Sequence, residues 1–479
     1  MMFEPKRLHP TAILFFGIKT LRQSLVGLLP VIILALNDGF VLYTILGILF
    51  ILIVVVGQSF LSWYRFTYTL EEDQLLMEQG VLIRKKRTIS KHRIQSIDLT
   101  QTVVHRIFGL TKVQIETAGS DSKTDAALSS LTLEDGKWLH DQLKIKQESE
   151  TSAITSLENS EQDSYPKRVI SLKSLIIAGS TSGSFGVLIS LVALLTFDLD
   201  SFVPESFYNK ATTWFIGLAM EMMVLLSLLS ILSVWILGIF STVIKYGNFS
   251  ITRYDRELFI TRGLLEKKQT TIPLNRIQAV GIKESLIRQP FGFATLYVEI
   301  AGGEINKNGD AQTLLFPMLK KQSIPTFLKE ILPEYQNVPN QFSPVSKRSL
   351  PYYLLKMIWL PMLAIIVGII FVPNWIYIPG IALVGAALIG FSQYKTNGVH
   401  LSKEQLTIQF RLLTKETVLL KQQRIQAFEQ NQHLLYKWHR LANMKLSVLN
   451  NFTGRHYTIP GLEMNLVNEL ANWFSYKKE

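Results

Sequence analysis

The sequence predicts an α+β membrane protein in which six transmembrane helices, arranged as three pairs, alternate with three small β-rich domains. Three observations predict it. Apolar runs come two by two, and each second run is followed by a stretch patterned as short strands and one helix. The triplet Arg-Ile-Gln also recurs at 93–95, 276–278 and 424–426. Such an internal repeat fixes the architecture before any single residue is read. Composition agrees: of 479 residues, 48% are hydrophobic and 18% charged, where a soluble chain carries about a quarter. The polar remainder is basic, with a net charge of +12, and there is no cysteine. Disulfides, thiolate metal sites and cysteine nucleophiles are thereby excluded.

The helix pairs occupy residues 11–64, 174–246 and 353–394. Each run holds the roughly 20 apolar residues that cross a hydrocarbon core. "FVLYTILGILFILIVVVGQSFLSWY" is apolar all round, whereas a helix packed in a soluble core is striped. The first run is not a cleaved signal peptide, because it is too long, Lys19 and Arg22 interrupt it and no small-residue cleavage site follows. The short turns within the pairs carry Asp38, Asp198, Asp200 and Glu205 against Lys210, and each pair is preceded by a basic doublet: Lys6-Arg7, Lys167-Arg168, Lys347-Arg348. Basic loops stay in the cytoplasm. Both termini and the three β-rich domains, 65–146, 247–334 and 395–476, are therefore expected to be cytoplasmic, joined by linkers at 147–166 and 335–350.

Placing Arg93 over Arg276 aligns 66–119 with 249–302 without a gap, and 16 of the 54 positions are identical. They include Gly80 over Gly263 and Phe108-Gly109 over Phe291-Gly292. The third copy keeps the frame over 397–450, with His439-Arg440 in place of Phe-Gly. Within the first copy, "FTYTL", "QLLMEQGVLIRKKRTI" and "IQSIDLTQ" read as strands, with Gly80 suited to a hairpin turn. "VVHRIFG" reads as one helical turn closed by Gly109. "LTKVQIETAG" alternates, with Leu110, Val113 and Ile115 as core candidates, and "AALSSLTL" is a further strand. "EDGKWLHDQLKI" places Trp138, Leu139 and Leu143 at helical spacing. The second copy closes with "DAQTLLFP" and "PTFLKEIL", the third with "RHYTIP" and "MNLVNELANWF".

The order strands, "HRIQSIDLTQ", "RIFGLTKVQIETAG", strand, helix resembles the bacterial pleckstrin-homology (PH) domain. With helices directly before each domain and the opening "PKRLHP", the chain is similar to the membrane-anchored, three-unit members of that family. The resemblance implies a seven-stranded, partly open barrel closed by a C-terminal helix, and a bacterial plasma-membrane setting. It implies little chemistry, since lipid specificity carried over from other PH folds would rest on fold alone.

The candidate site residues follow. Ile94, Ile277 and Ile425 open a strand and are expected to face the core, with Gln95, Gln278 and Gln426 on the opposite face. Arg93, Arg276 and Arg424 sit just before the strand, where a guanidinium ties neighbouring carbonyls or meets phosphate. A residue kept in three divergent copies is better explained by a shared fold than by three ligand sites, so the triplet reads as structural. Arg84, Lys85, Lys86 and Arg87 follow the first hairpin turn, and Lys267 and Lys268 hold the corresponding place. Beneath a bilayer each such cation meets anionic headgroups for about 1 kcal/mol; the competing reading is a solvated basic face.

Glu221, an acid inside the fourth apolar run, is a functional suspect by position. Gly179 and Gly183, and Ala382, Ala386 and Gly390, read as small-residue helix-packing faces. No "HExxH" or histidine pair marks a metal site, no phosphate loop is complete, and no nucleic-acid motif occurs. No cofactor, metal or nucleic-acid partner is expected, and an enzyme ranks last. The reading is a scaffold presenting three PH-like domains to protein partners or anionic lipid. The alternative is a transporter or a resistance protein against membrane-active compounds.

Overall fold

The computed structural model describes residues 5–22, 41–71, 73–117, 126–143, 165–181, 220–301, 312–371, 376–450 and 454–475. In chain order the first repeat contains β1 (Lys6–Arg7), a helix α1 over residues 12–22, α2 (Val41–Tyr64), β2 (Thr67–Leu70), β3 (Gln74–Gln79), β4 (Lys85–Ser90), β5 (Ile94–Gln101), α3 (Val103–Ile107), β6 (Leu110–Thr117), β7 (Ala126–Thr132) and α4 (Leu133–Leu143). The second contains β8 (Lys167–Val169), α5 (Leu172–Ser180), α6 (Met220–Tyr246), β9 (Ser250–Arg253), β10 (Glu257–Arg262), β11 (Lys267–Pro273), β12 (Ile277–Glu284), β13 (Phe293–Ile300), β14 (Gln312–Lys320) and α7 (Ile324–Ile331). The third contains β15 (Ser343–Pro344), α8 (Leu350–Phe371), α9 (Tyr377–Thr396), β16 (Gly398–Leu401), β17 (Gln405–Arg411), β18 (Lys415–Lys421), β19 (Ile425–Asn431), α10 (Leu434–Trp438), β20 (Leu441–Val448), β21 (Arg455–Glu463) and α11 (Met464–Ser475).

These elements form two compact units, Met1–Ser164 with Leu265–Pro273, and Tyr165–Leu264 with Leu274–Glu479. In the first, β1-β2-β3-β4 make one antiparallel sheet and β5-β6-β7 a second. Period-two alternation sends Tyr68, Leu70, Leu75 and Met77 inward from one sheet, to meet Val113, Ile115 and Leu128 from the other. Leu139 and Leu143, one turn apart on α4, close the core. Each such side chain contributes about 1.5–3 kcal/mol by burial.

Two features lie beyond the sequence reading. First, the doublet Lys6-Arg7 is itself a strand, paired as Lys6↔Tyr68 and Arg7↔Thr67. Leu8 beside it is buried in the core, and Lys6 Nζ lies 3.2 Å from Asp135 Oδ1 on α4. The doublet thus fastens the domain. Two residues are too few for any periodicity to betray them. Second, the sheet does not end at β5, because β11 of the second repeat pairs with it antiparallel. The repeats were expected to be separate barrels, but a strand is exchanged along the chain.

The second unit repeats both devices. β12 pairs with β18 of the third repeat, giving the sheet order β14-β13-β12-β18-β17-β16-β15, and β19-β20-β21 form a further sheet. Arg168 of the second doublet makes a two-pronged ion pair with Glu330 on α7, at 2.6 and 2.7 Å. Leu406, Val418, Met444, Leu446, Ile459 and Leu470 lie in the third repeat's core.

Among the described residues four helices are long and apolar enough to cross a membrane: Leu46–Tyr64, Leu228–Tyr246, Lys347–Phe371 and Tyr377–Thr396. The first helices of pairs one and two are described only over α1 and α5, and the remainder of those two runs lies outside the described residues. Two of the predicted small-residue faces do pack. A Cβ on Gly179 would stand 2.8 Å from Ile239 Cα, and one on Gly390 would stand 2.9 Å from the Tyr353 carbonyl. Gly183 lies outside the described residues.

Candidate membrane-interface site

After β5, β12 and β19 the chain makes one tight turn before the next strand: α3, residues 285–290, and α10. Each turn is closed by a residue with positive φ, Gly109 and Gly292 at 65° and Arg440 at 53°. This is the left-handed region that favours glycine. Thr102 caps α3 by accepting from the His105 amide, and His433 Nδ1 accepts from the Leu435 amide.

One position in each turn grips the first helix of its pair. In the first repeat it is His105, whose ring stacks on Phe15 of α1 with centroids 4.1 Å apart. His105 Nε2 donates to the Ser129 carbonyl at 2.7 Å, and Nδ1 accepts from Thr102 Oγ1 at 2.6 Å. Both ring nitrogens are occupied in the neutral tautomer, and burial holds the pKa below the usual histidine value. In the third repeat Tyr436 sits edge-on to Tyr352 of α8 at 4.7 Å, and the Tyr352 hydroxyl donates to the Leu435 carbonyl at 3.1 Å.

The second repeat places Arg288 there. Its Nη2 donates to the Ala178 carbonyl and its Nε to Thr181 Oγ1, each at 3.0 Å, while Nη1 donates to Thr295 Oγ1 and the Pro317 carbonyl. All four partners are neutral. The guanidinium lines an open cleft of about 270 Å³ with Lys283, Ser285, Thr242 and Tyr246. Ser285 Oγ is buried there without a hydrogen-bond partner among the described residues. A half-buried cation held by neutral groups, beside a buried hydroxyl without a partner among the described residues, suits an anion.

The rest of each turn is apolar and bare. Phe108 is 52% exposed, Phe291 66% and Trp438 75%, and Val103, Ile107, Leu286 and Leu434 are exposed with them. These side chains stand in the turns that clasp the helices, and large apolar groups gathered on a surface mark an interaction site.

The family model described as bacterial PH domain matches residues 17–146, 192–334 and 351–478. The chain belongs to the bacterial PH domain family. It is also 32% identical over 493 residues to the UPF0699 transmembrane protein YdbT of Bacillus subtilis (strain 168), covering 100% of this chain and 99% of that protein. It is a membrane protein with an internally repeated PH domain.

In each PH domain the Arg-Ile-Gln triplet takes one conformation. Lys91–Arg93, Leu274–Arg276 and Gln422–Arg424 are single 3-10 turns, and the strand opens at the isoleucine. Pairing then shifts between Ile94 and Ser96, between Ile277 and Ala279, and between Ile425 and Ala427. The glutamine is the bulged residue each time. Ile277 and Ile425 are buried, and Ile94 packs on the core partly exposed. The Arg276 carbonyl accepts from the Ala301 amide and from Gln278 Nε2. Gln278 is buried, Gln426 is exposed, and the side chain of Gln95 lies outside the described residues.

The basic residues divide. Arg84, Lys85, Lys86 and Arg87 are exposed at the start of β4, with Lys86 3.5 Å from Glu78. Lys267 is exposed too. Lys268 is not available for headgroups, however, because its Nζ is bound to Asp98 Oδ2 at 2.8 Å in the β5–β11 pairing. Glu221 lies in α6, and its side chain is outside the described residues. His105, Arg288 and Tyr436 escaped sequence reasoning. The only signal was the shared spacing from Arg-Ile-Gln to Phe-Gly, and it read as fold alone.

Proposed function

We propose that this chain is a scaffold of the bacterial plasma membrane, whose helix pairs hold three PH domains against the cytoplasmic surface and whose turns enter the headgroup layer. The supporting observation is that each turn exposes a large aromatic side chain, Phe108, Phe291 or Trp438, beside the residue that clasps the first helix of its pair. Aromatic side chains favour the membrane–water boundary. The Arg288 cleft would take an anionic headgroup, and the bases of β4 add attraction of about 1 kcal/mol each. The acidic outer turns and the basic doublets support the cytoplasmic side. Protein partners then bind the surfaces the membrane leaves open.

Lipid retention tests the reading. The full chain, purified from membranes in mild detergent, should retain phosphatidylglycerol over phosphatidylethanolamine by native mass spectrometry. Arg288→Gln should lose that preference while eluting as a folded species. Equal retention of the two lipids by the unaltered chain would refute it.

A further inference from the structure

The strand exchange between repeats keeps one register. β5 and β11 pair as Gln101↔Lys267, Thr100↔Lys268, Leu99↔Gln269 and Asp98↔Thr270. β12 and β18 pair as Glu284↔Lys415, Lys283↔Glu416, Ile282↔Thr417 and Gly281↔Val418. In the alignment that places Arg93, Arg276 and Arg424 together, 101, 284 and 432 are equivalent, as are 84, 267 and 415. The two junctions therefore match pair for pair, although most of the paired residues differ in type. The register belongs to the repeat and not to one local sequence.

Three repeats carry three strands of each kind, but a linear chain joins only two of each. The strand left over at the front is β4, which ends the sheet β1-β2-β3-β4; the one left over at the back is β19, which ends β19-β20-β21. Neither contains proline or glycine, and they span six and seven residues. Continuing the register sets Gln432 opposite Arg84, Asn431 opposite Lys85, Gln430 opposite Lys86 and Glu429 opposite Arg87. Charge follows as well. The first junction is crossed by the Lys268–Asp98 ion pair at 2.8 Å, and the second by Lys283–Glu416 at 3.4 Å and Lys415–Glu284 at 3.8 Å. The residues equivalent to Lys268 and Asp98 on the leftover strands are Lys85 and Glu429, the latter also held by Lys445 at 3.0 Å within its own sheet.

We infer that β19 of one copy pairs with β4 of a second copy of this chain, continuing the strand exchange from molecule to molecule. The contact is heterologous, so it repeats head to tail until a ring closes or the array ends. Lysines on an edge strand also serve to repel unwanted pairing, and in that role they would leave no mixed dimer.

The chain has no cysteine, so introduced thiols report alone. Two differently tagged full-length chains, one Lys85→Cys and the other Asn431→Cys, are co-expressed and their membranes oxidised. Residues facing each other on antiparallel strands lie within disulfide reach. A reducible dimer carrying both tags is expected, at five-fold or more the yield of Lys85→Cys with Gln426→Cys, which the register separates by about 16 Å. No mixed dimer, or equal yields from the two pairings, would overturn the inference; so would a chain carrying both Lys85→Cys and Asn431→Cys that crosslinks only within itself.

Discussion

Arg288 Nη2 donates to the Ala178 carbonyl near the end of helix α5 across 3.0 Å, binding the turn of a PH domain to the helix that anchors it. His105 with Phe15 and Tyr436 with Tyr352 make the same junction with different chemistry. A stacked imidazole, a guanidinium fork and an aromatic pair at one repeat position preserve a contact and not a residue type. Each PH domain is docked on its helices as well as tethered to them, which fixes where its exposed turn points.

Ser285 separates an empty cleft from an occupied one. A buried hydroxyl without a partner costs about 1–3 kcal/mol. Ser285→Ala in lipid-depleted detergent should therefore raise the thermal midpoint slightly. In anionic nanodiscs the gain should vanish, because the hydroxyl is then satisfied by the headgroup. Differential scanning fluorimetry in both media reads the contrast.

His105 gives a pH dependence of known sign. Burial lowers its folded-state pKa below 6.5, so between those values the unfolded chain binds more protons than the folded one. Stability then rises with pH. The stabilising contribution is fully present above about pH 6.5 and is lost as pH falls toward the folded-state value, where the loss levels off. Thermal midpoints between pH 8 and 5 should show this component in the unaltered chain, and His105→Gln should lack it.

Arg440 occupies a conformation that glycine occupies in the other two repeats, with φ at 53° against 65° for Gly109 and Gly292. A left-handed non-glycine residue costs roughly 1–2 kcal/mol, and part of that is offset by the greater freedom of glycine when unfolded. Arg440→Gly should stabilise the chain by about 0.5–1 kcal/mol, measured by chemical denaturation.

Gly281 on β12 faces the Tyr297 ring, and a Cβ there would stand 2.0 Å from it. The Tyr297 hydroxyl donates to Glu416 at 3.1 Å across the strand exchange, so the ring has little room to retreat. Gly281→Ala should cost about 1–3 kcal/mol by overpacking. An unchanged denaturation midpoint would show that the ring moves freely.

What the sequence disclosed and what it hid divide by range. β5, β6 and α4 were legible because Ile97, Val113, Ile115, Leu139 and Leu143 carry periods of 2 and 3.6 within a few residues. Arg-Ile-Gln reads as structural from its recurrence, but its bulge depends on partners some twenty residues on. Lys268 looked like its counterpart Lys85, and only the pairing of β11 with β5 makes one an internal ion pair. Buried Glu299 was equally hidden. Gln312, Tyr457 and Asn450 donate to its carboxylate, from segments 13 to 158 residues away. Arg288 and Ser285 gave no local sign, since an arginine in a turn is ordinarily solvated.

Depth in the bilayer tests the central claim most directly. Single cysteines replacing Phe108 or Phe291, spin-labelled on the full chain in anionic nanodiscs, would be compared with one replacing Asp141, a residue exposed on α4. Collisions with oxygen and with a polar nickel complex report how far each label sits from water. The labels at 108 and 291 should lie at the boundary between headgroups and acyl chains, and the label at 141 in water. Full access of the nickel complex to all three would contradict membrane insertion of the turns.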